Sequence, residues 1–180
     1  MIFKEQKIKG VFLIEHEPFS DHRGKLERHF CAKEYEDAGI NPRICQTNLS
    51  YNTCKGTLRG FHYQKPPNAE CKTISCLKGE IYDIVVDLRG DSKTFMQWQS
   101  FTLGESQQSS LYLPGGCANA FLTIKDETVV LYYMSEFYAP DSYCGLRYDD
   151  PIFRFRWPEN PAVLSEKDRN YPDFNRDGLK

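Results

Sequence analysis

Residues 43–135 decide the fold, because they form a series of short runs dominated by apolar, β-branched and aromatic residues. Turn sequences such as KG, GD, GES and PGG separate the runs. Short strands that are separated by turns at regular intervals are typical of a sandwich or a barrel. The predicted strands are RICQTNLSY (43–51), GTLRGFHYQ (56–64), CKTISCL (71–77), EIYDIVVDL (80–88), MQWQSFTL (96–103), SSLYLP (109–114), CANAFLTI (117–124) and ETVVLYYMS (127–135).

The composition agrees with an all-β chain. Tyr and Phe supply 23 of the 25 aromatic residues, and the 180 residues include 10 Pro and 12 Gly, a mixture that favours strands and turns over a helical bundle. The net charge of −2 is close to neutral, so the charge gives no reason to expect nucleic acid or an anionic membrane as a partner.

The flanking segments complete one predicted domain over residues 1–180. KGVFLIE (9–15) and KLERHF (25–30) predict strands, and CAKEYEDAG (31–39) predicts a short helix that ends at a glycine. Residues 136–180, richer in Pro, Arg and Asp, predict an irregular C-terminal arm after the core of 43–135. Within that arm SEKD (165–168) has the form of a helix N-terminal capping box.

The densest polar cluster is GTLRGFHYQKPP (56–67). Strict alternation in a strand puts Arg59 and His62 on opposite faces. A bulge at Gly60 would bring them to one face, since glycine inside a strand often marks a bulge. His62 is therefore open to two interpretations, a half-buried strand residue or a functional side chain.

Four further positions are open in the same way. Lys72 begins an otherwise apolar strand, where it either holds an oxyanion or ends in solvent. Tyr132 is either a packing residue or a general acid. Asp83 and Asp87 share a face, and a structural role, with Asp87 paired to Arg89 or to a turn, is favoured over an acid/base pair.

A metal centre is not expected from the spacing of the four histidines. His16, His22, His29 and His62 contain no HxH or HxxxH pair, and the β-rich stretch holds His62 alone. Seven cysteines, an odd number without a CxxC pair, predict reduced core residues and a cytoplasmic protein.

The motifs together resemble the dTDP-4-dehydrorhamnose 3,5-epimerase family over residues 9–172. The similarity is carried by DHRGKLERHF (21–30), by the run from CQTNLSY (45–51) to RGDSKTF (89–95) with LRGFHYQKPP (58–67) inside it, and by YLPGGCANAF (112–121), VVLYYMSEFYAPDS (129–142), GLRYDDP (145–151) and LSEKD (164–168). The resemblance implies a cupin-like double-stranded β-helix, or jelly roll, with a few short helices. It also implies a homodimer that needs neither metal nor organic cofactor and inverts C3 and C5 beside the ketone of a nucleotide-linked 4-keto sugar.

The resemblance assigns a role to each site residue. His62 matches the base, Asp168 the carboxylate that pairs with it, and Tyr132 the acid on the opposite face of the sugar. The residues that match substrate-binding positions are Arg59 and Lys72 at the sugar oxygen and the enolate, Arg23 at the diphosphate, Gln46 and Asn48 on the nucleotide side, and Tyr138 stacking on the base.

Three positions depart from the family's pattern. Asn119 replaces a histidine that contacts substrate, and Arg28 and Tyr143 each stand where a glutamate is usual on the nucleotide side. We therefore expect an epimerase whose substrate is GDP-, CDP- or dTDP-linked and which inverts C3, C5 or both. The alternatives are a non-catalytic sugar-nucleotide-binding module and a 3,4-ketoisomerase on the same barrel.

Overall fold

A computed structural model describes residues 1–175. It contains thirteen strands, helices α1 (Ala32–Asp37) and α2 (Glu166–Arg169), and a 3₁₀ turn at Pro140–Ser142. The predicted helix over 31–39 is confirmed by α1. The strands are β1 (Ile2–Glu5), β2 (Phe12–Glu15), β3 (Phe19–Asp21), β4 (Gly24–Leu26), β5 (Gln46–Asn52), β6 (Leu58–Gln64), β7 (Lys72–Lys78), β8 (Glu80–Asp87), β9 (Trp98–Gly104), β10 (Ser109–Leu113), β11 (Cys117–Thr123), β12 (Thr128–Met134) and β13 (Tyr143–Gly145).

The strands form two antiparallel sheets, which confirms the predicted all-β jelly roll. One sheet has the order β1-β2-β10-β7-β12-β5, and the other has the order β13-β6-β11-β8-β9. Strands β3 and β4 form a separate hairpin. Non-consecutive neighbours such as β10 and β7, or β11 and β8, show that the chain passes repeatedly from one sheet to the other.

The main core lies between the sheets. Its buried side chains include Ile74, Leu111 and Val130 from the first sheet, and Val85 and Phe121 from the second. Full burial of side chains of this size stabilises the fold by roughly 1.5–3 kcal/mol each. The apolar alternation of these strands therefore sets which face of each sheet points inward.

The C-terminal arm covers the outer face of the second sheet. Phe153, Phe155 and Trp157 pack in one cluster with Phe61 and Ile84, which explains why β8 is buried on both faces. A parallel bridge between Thr57 and Val163 fixes the arm beside β6. The arm therefore reaches the edge of the barrel, where its helix α2 begins.

Several local predictions have different outcomes. The strand expected over 25–30 is wrong beyond Leu26, because Glu27 and His29 turn inward to contact His16 instead of continuing the hairpin. The structural role of Asp87 is confirmed by its bidentate pairing with Arg89.

The division into one domain over 1–180, with core 43–135 and arm 136–180, stays a prediction, and residues 176–180 of that arm lie outside the described part of the chain. Within residues 1–175, every helix is too short or too polar to cross a membrane.

Candidate active site

One large cavity opens between the two sheets on the side of β5 and β6. Its volume is about 1080 Å³, large enough for a ligand the size of a nucleotide sugar. Strands β5, β7 and β12 of one sheet and β6 and β11 of the other line it, together with residues of α2. Ten of the predicted site residues line it: Gln46, Asn48, Arg59, His62, Lys72, Asn119, Tyr132, Tyr138, Tyr143 and Asp168.

A bulge in β6 turns both Arg59 and His62 toward the cavity. In the pairing with β11, Asn119 faces His62 while Ala120 faces Gly60, so Phe61 is the extra residue. Gly60 has φ +112°, and a Cβ there would lie 2.5 Å from the Asn119 carbonyl oxygen, so only glycine fits. The bulge that a glycine in this strand would allow is present, so Arg59 and His62 are not on opposite faces.

His62 is held by a carboxylate from the arm. Its Nε2 lies 2.7 Å from Asp168 Oδ1, and the other oxygen of Asp168 accepts from the Gly60 amide at 3.4 Å. The Ser165 hydroxyl caps α2 by accepting from the Asp168 amide. Burial alone would raise the pKa of Asp168, but the contact with His62 and the hydrogen bonds from Gly60 and Ser165 hold that pKa below its ordinary value. Asp168 is therefore an ionised partner for the imidazole.

Lys72 is buried, so the alternative of a solvated strand end is wrong. Its Nζ donates to the His62 carbonyl at 2.8 Å and lies 3.2 Å from Glu70 Oε1. Both side chains are less than a tenth exposed. The ammonium group is thus fixed beside the histidine, with a carboxylate that offsets the cost of burying its charge.

Tyr132 lies on the wall opposite His62, because β12 belongs to the other sheet. Burial raises the pKa of its hydroxyl, and the nearby carboxyl of Asp83 raises it further. The Arg59 guanidinium lowers the pKa of Tyr132, but by less than burial raises it. Arg59 itself is held by a 2.7 Å hydrogen bond that its Nε donates to the buried Asn52 side chain. The phenol therefore stays protonated near neutral pH and can act as a proton donor.

Asn119 lines the cavity and connects it to the buried carboxyl group of Asp83. Its amide donates to Asp83 Oδ2 at 3.0 Å, and Asp83 Oδ1 is buried without a hydrogen-bond partner among residues 1–175. Burial raises the pKa of Asp83 to about 8, although the Asn119 hydrogen bond and the charge of Lys72 lower it. Asp83 is therefore largely neutral at pH 7.

Aromatic and amide side chains gather at one end of the cavity. The Gln46 side chain accepts from the Tyr138 amide at 2.6 Å, and the rings of Tyr138 and Tyr143 meet edge to face at 5.4 Å. The Tyr143 ring lies 5.2 Å from His62 and carries the Lys167 ammonium 4.1 Å above its centre. This end offers ring faces and hydrogen-bond groups to a flat, polar ligand.

Arg23 and Arg28 are not among the residues that line the cavity. Arg23 pairs with Asp21 within the exposed β3–β4 hairpin. Arg28 pairs with Glu34 of α1. Their predicted contacts with the diphosphate and the nucleotide stay predictions.

Sequence reasoning missed two charged groups of the cavity, Glu70 and Lys167. Glu70 had a weak signal, because it lies two residues before Lys72 and next to its strand. Lys167 had none, since nothing local indicates that the arm returns to the barrel at α2.

These features define the class of protein: a jelly-roll enzyme that moves protons at a small polar ligand. An imidazole–carboxylate pair on one wall faces a protonated phenol on the other. Two cationic side chains, Arg59 of β6 and Lys72 of β7, line the same cavity. Inversion at an acidic carbon requires such a base and acid on opposite sides.

Comparison with known proteins places this enzyme in a family. The family model for dTDP-4-dehydrorhamnose 3,5-epimerase matches residues 5–176. A dTDP-4-dehydrorhamnose 3,5-epimerase of Methanothermobacter thermautotrophicus is 33% identical over 172 residues, covering 94% of this chain and 92% of the relative. The chain belongs to the dTDP-4-dehydrorhamnose 3,5-epimerase family and is a nucleotide-sugar epimerase.

Two solved structures agree with this assignment. The dTDP-4-dehydrorhamnose 3,5-epimerase of Bacillus anthracis, solved with TDP and PPi bound, superposes with a TM-score of 0.92 at 36% identity, covering 96% of this chain and 99% of that one. A 3'-monoepimerase of Streptomyces bikiniensis, in complex with dTDP-quinovose, superposes with a TM-score of 0.87 at 31% identity, covering 93% and 85%. Relatives that invert one centre and relatives that invert two therefore share this fold.

Proposed function

We propose that the chain inverts C3, C5 or both in a dTDP-linked 4-keto sugar, without a metal or organic cofactor. The observation that carries the proposal is the placement of the His62–Asp168 pair and Tyr132 on opposite walls of one cavity. A proton beside a ketone is weakly acidic, so its removal needs a base, a group that stabilises the enolate, and an acid on the other face of the ring.

His62 is the base, and its Nδ1 is the reacting atom. Nε2 is 2.7 Å from Asp168, so the neutral imidazole donates its Nε2–H to that carboxylate and keeps its lone pair on Nδ1. When Nδ1 takes the sugar proton, ionised Asp168 stabilises the imidazolium that forms, as an aspartate does in a hydrolase triad.

Lys72 and Arg59 stabilise the negative charge that develops on the ketone oxygen. Lys72 is nearly buried and fixed by the His62 carbonyl and Glu70, so little reorganisation is required when the charge appears. A preorganised donor of this kind lowers the barrier by about 3–4 kcal/mol in comparable oxyanion sites.

Tyr132 returns the proton from the opposite face. Its raised pKa keeps the hydroxyl protonated, which makes it a donor to the carbanion carbon rather than a competing base. After transfer the phenolate is close to Arg59, whose charge favours the ionised form. One cycle of abstraction by His62 and donation by Tyr132 inverts one carbon.

The nucleotide occupies the aromatic end of the cavity. Tyr138 and Tyr143 offer ring faces to the base, and Gln46 and Asn48 offer amides. The relatives described above carry dTDP sugars in their names or bound ligands, which supports dTDP over GDP or CDP. All three nucleotides should still be tested, because three positions depart from the family's pattern. Asn119 replaces a histidine, and Arg28 and Tyr143 replace glutamates.

We also propose that the enzyme is a cytoplasmic homodimer. All seven cysteines are free, which supports a reducing compartment. Only Cys76 and Cys117 are buried, so the prediction of core positions is wrong for the other five. On the β3–β4 hairpin, Phe19 and Leu26 face each other across the strands and are 66% and 77% exposed, which supports contact with another surface. Sedimentation analysis of the purified chain tests the dimer.

Solvent exchange tests the proposed reaction. The chain is incubated in heavy water with dTDP-, GDP- and CDP-linked 4-keto-6-deoxy sugars, and NMR follows deuterium at C3 and C5, with and without EDTA. We expect label at the inverted centres of the dTDP sugar, unaffected by EDTA. Tight binding without exchange in any substrate would indicate a non-catalytic binding module, and a ketone that moves to C3 would indicate a 3,4-ketoisomerase.

A further inference from the structure

Two histidines and a glutamate meet away from the catalytic cavity. His16 follows β2, and Glu27 and His29 follow the β3–β4 hairpin. Glu27 Oε1 lies 2.6 Å from His16 Nδ1 and 3.2 Å from His29 Nε2. The three residues can each offer one ligand atom so that all three atoms lie within 4.8 Å of one another. The imidazole rings meet edge to face at 4.5 Å. The fold thus joins residues that the spacing of the histidines did not connect.

A buried hydroxyl chain orients His16 from behind. His16 Nε2 lies 2.8 Å from Ser110 Oγ, and Ser110 Oγ lies 2.5 Å from Ser75 Oγ. If Nε2–H donates to Ser110, the lone pair on Nδ1 points at Glu27 Oε1. Two acceptors at that distance need a proton or a metal ion between them, and metal-bound histidines commonly donate their other nitrogen to such a partner.

We propose that His16 Nδ1, Glu27 Oε1 and His29 Nε2 bind a divalent transition-metal ion, with Zn²⁺ as the best match. Two imidazoles and one carboxylate form a donor set that zinc uses with a fourth, open position. Neighbouring ligands of a tetrahedral zinc ion with bonds of about 2.0–2.1 Å lie roughly 3.3 Å apart. The two contacts of Glu27, 2.6 and 3.2 Å long, are close to this value, and the partly exposed Glu27 and His29 side chains leave room for adjustment.

Lys25 contacts the Glu27 carboxylate through the oxygen that is not a proposed ligand. Lys25 Nζ lies 3.1 Å from the other carboxylate oxygen, Glu27 Oε2. Lys25 is 41% exposed, so solvent screens its charge. The ammonium group therefore orients the carboxylate and leaves Oε1 directed at the two histidines.

The ion would have a structural role. His16 lies before the hairpin and Glu27 and His29 after it, so one ion ties both ends of the β3–β4 hairpin to strand β2. His16, Glu27 and His29 are absent from the residues that line the catalytic cavity. The cluster and the catalytic cavity share no lining residue, so calorimetry and the melting temperature report on the ion without an activity assay.

Metal titration of the whole chain tests the site. Protein stripped with EDTA is titrated with Zn²⁺ by calorimetry, and its melting temperature is recorded with and without Zn²⁺. We compare wild type with His29→Gln and Glu27→Gln, and with His22→Gln as the matched control. His22 lies in the exposed turn of the same hairpin.

We expect one Zn²⁺ per chain and a raised melting temperature in wild type and His22→Gln. Binding should weaken at least tenfold in His29→Gln and in Glu27→Gln. Because cysteines also bind zinc, equal binding in wild type and both ligand variants would overturn the proposal. Absence of binding to wild type would overturn it as well. Circular dichroism of the metal-free variants confirms that they are folded.

Discussion

The Nε2 atom of His62 lies 2.7 Å from Asp168 Oδ1 across 106 residues of chain. Two features bring these atoms together. A bridge between Thr57 and Val163 holds the arm beside the start of β6, and Ser165 caps α2 three residues before Asp168. The Ser165 hydroxyl accepts from the Asp168 backbone amide and so fixes the Asp168 backbone. The Asp168 side chain is then free to pair with the imidazole.

Asp168→Asn should lower kcat by about 10³–10⁴-fold with little change in melting temperature, because an amide can keep a hydrogen bond but cannot stabilise the imidazolium. Steady-state assays and thermal melts measure the two effects. Glu166→Gln on the same helix is exposed and serves as the control. An Asp168→Asn variant with wild-type kcat would contradict the role of the dyad.

Tyr132→Phe should separate exchange from inversion. His62 can still remove and return a proton on its own face, so we expect solvent deuterium at C3 or C5 with the original configuration kept. Inversion should fall by about 10²–10⁴-fold, the usual contribution of a general acid. NMR of the product distinguishes the outcomes.

Tyr133→Phe is the matched control, since Tyr133 points to the other side of β12, where it meets Phe30. Unchanged inversion in Tyr132→Phe would remove Tyr132 from the mechanism.

Strand periodicity and turn residues are local signals, so they predicted the β-fold from the sequence. Most cavity residues were instead predicted from the resemblance of the motifs to a known family. The sequence could not decide whether Arg59 and His62 share a face, since that depends on how β6 meets Ala120 of the neighbouring strand. The location of Arg23 outside the cavity and the cluster of His16 with His29 also follow from packing between distant segments. Long-range pairing, rather than residue type, was the missing information.

Gly60→Ala should destabilise the protein by roughly 2–4 kcal/mol and abolish activity. The new Cβ would lie 2.5–2.9 Å from the backbone and side chain of residues 119 and 120, at a φ of +112° that a non-glycine residue rarely adopts. Urea denaturation gives the free energy of unfolding. Gly90→Ala, with nothing within 4 Å of its added Cβ, should change neither stability nor activity by much. Similar behaviour of both variants would show that the bulge tolerates a side chain.

Asp83 should make the protein less stable as the pH rises. Burial raises its pKa to about 8, whereas the carboxyl of an unfolded chain titrates near its ordinary value of about 4. Between these values the native state holds a proton that the unfolded state has lost, so the free energy of unfolding falls by up to about 1.4 kcal/mol per pH unit. Below pH 4 both states are protonated, and the stabilisation from the neutral carboxyl is complete.

Asp83→Asn removes this titration while an amide oxygen can still accept from Asn119. Urea denaturation at pH 5, 6, 7 and 8 should therefore show wild type losing stability relative to Asp83→Asn as the pH increases. Asp91→Asn, at an exposed position, should follow wild type. Parallel curves for wild type and Asp83→Asn would mean that Asp83 is ionised in the folded protein, and its buried Oδ1 would then require a cationic partner such as Lys72.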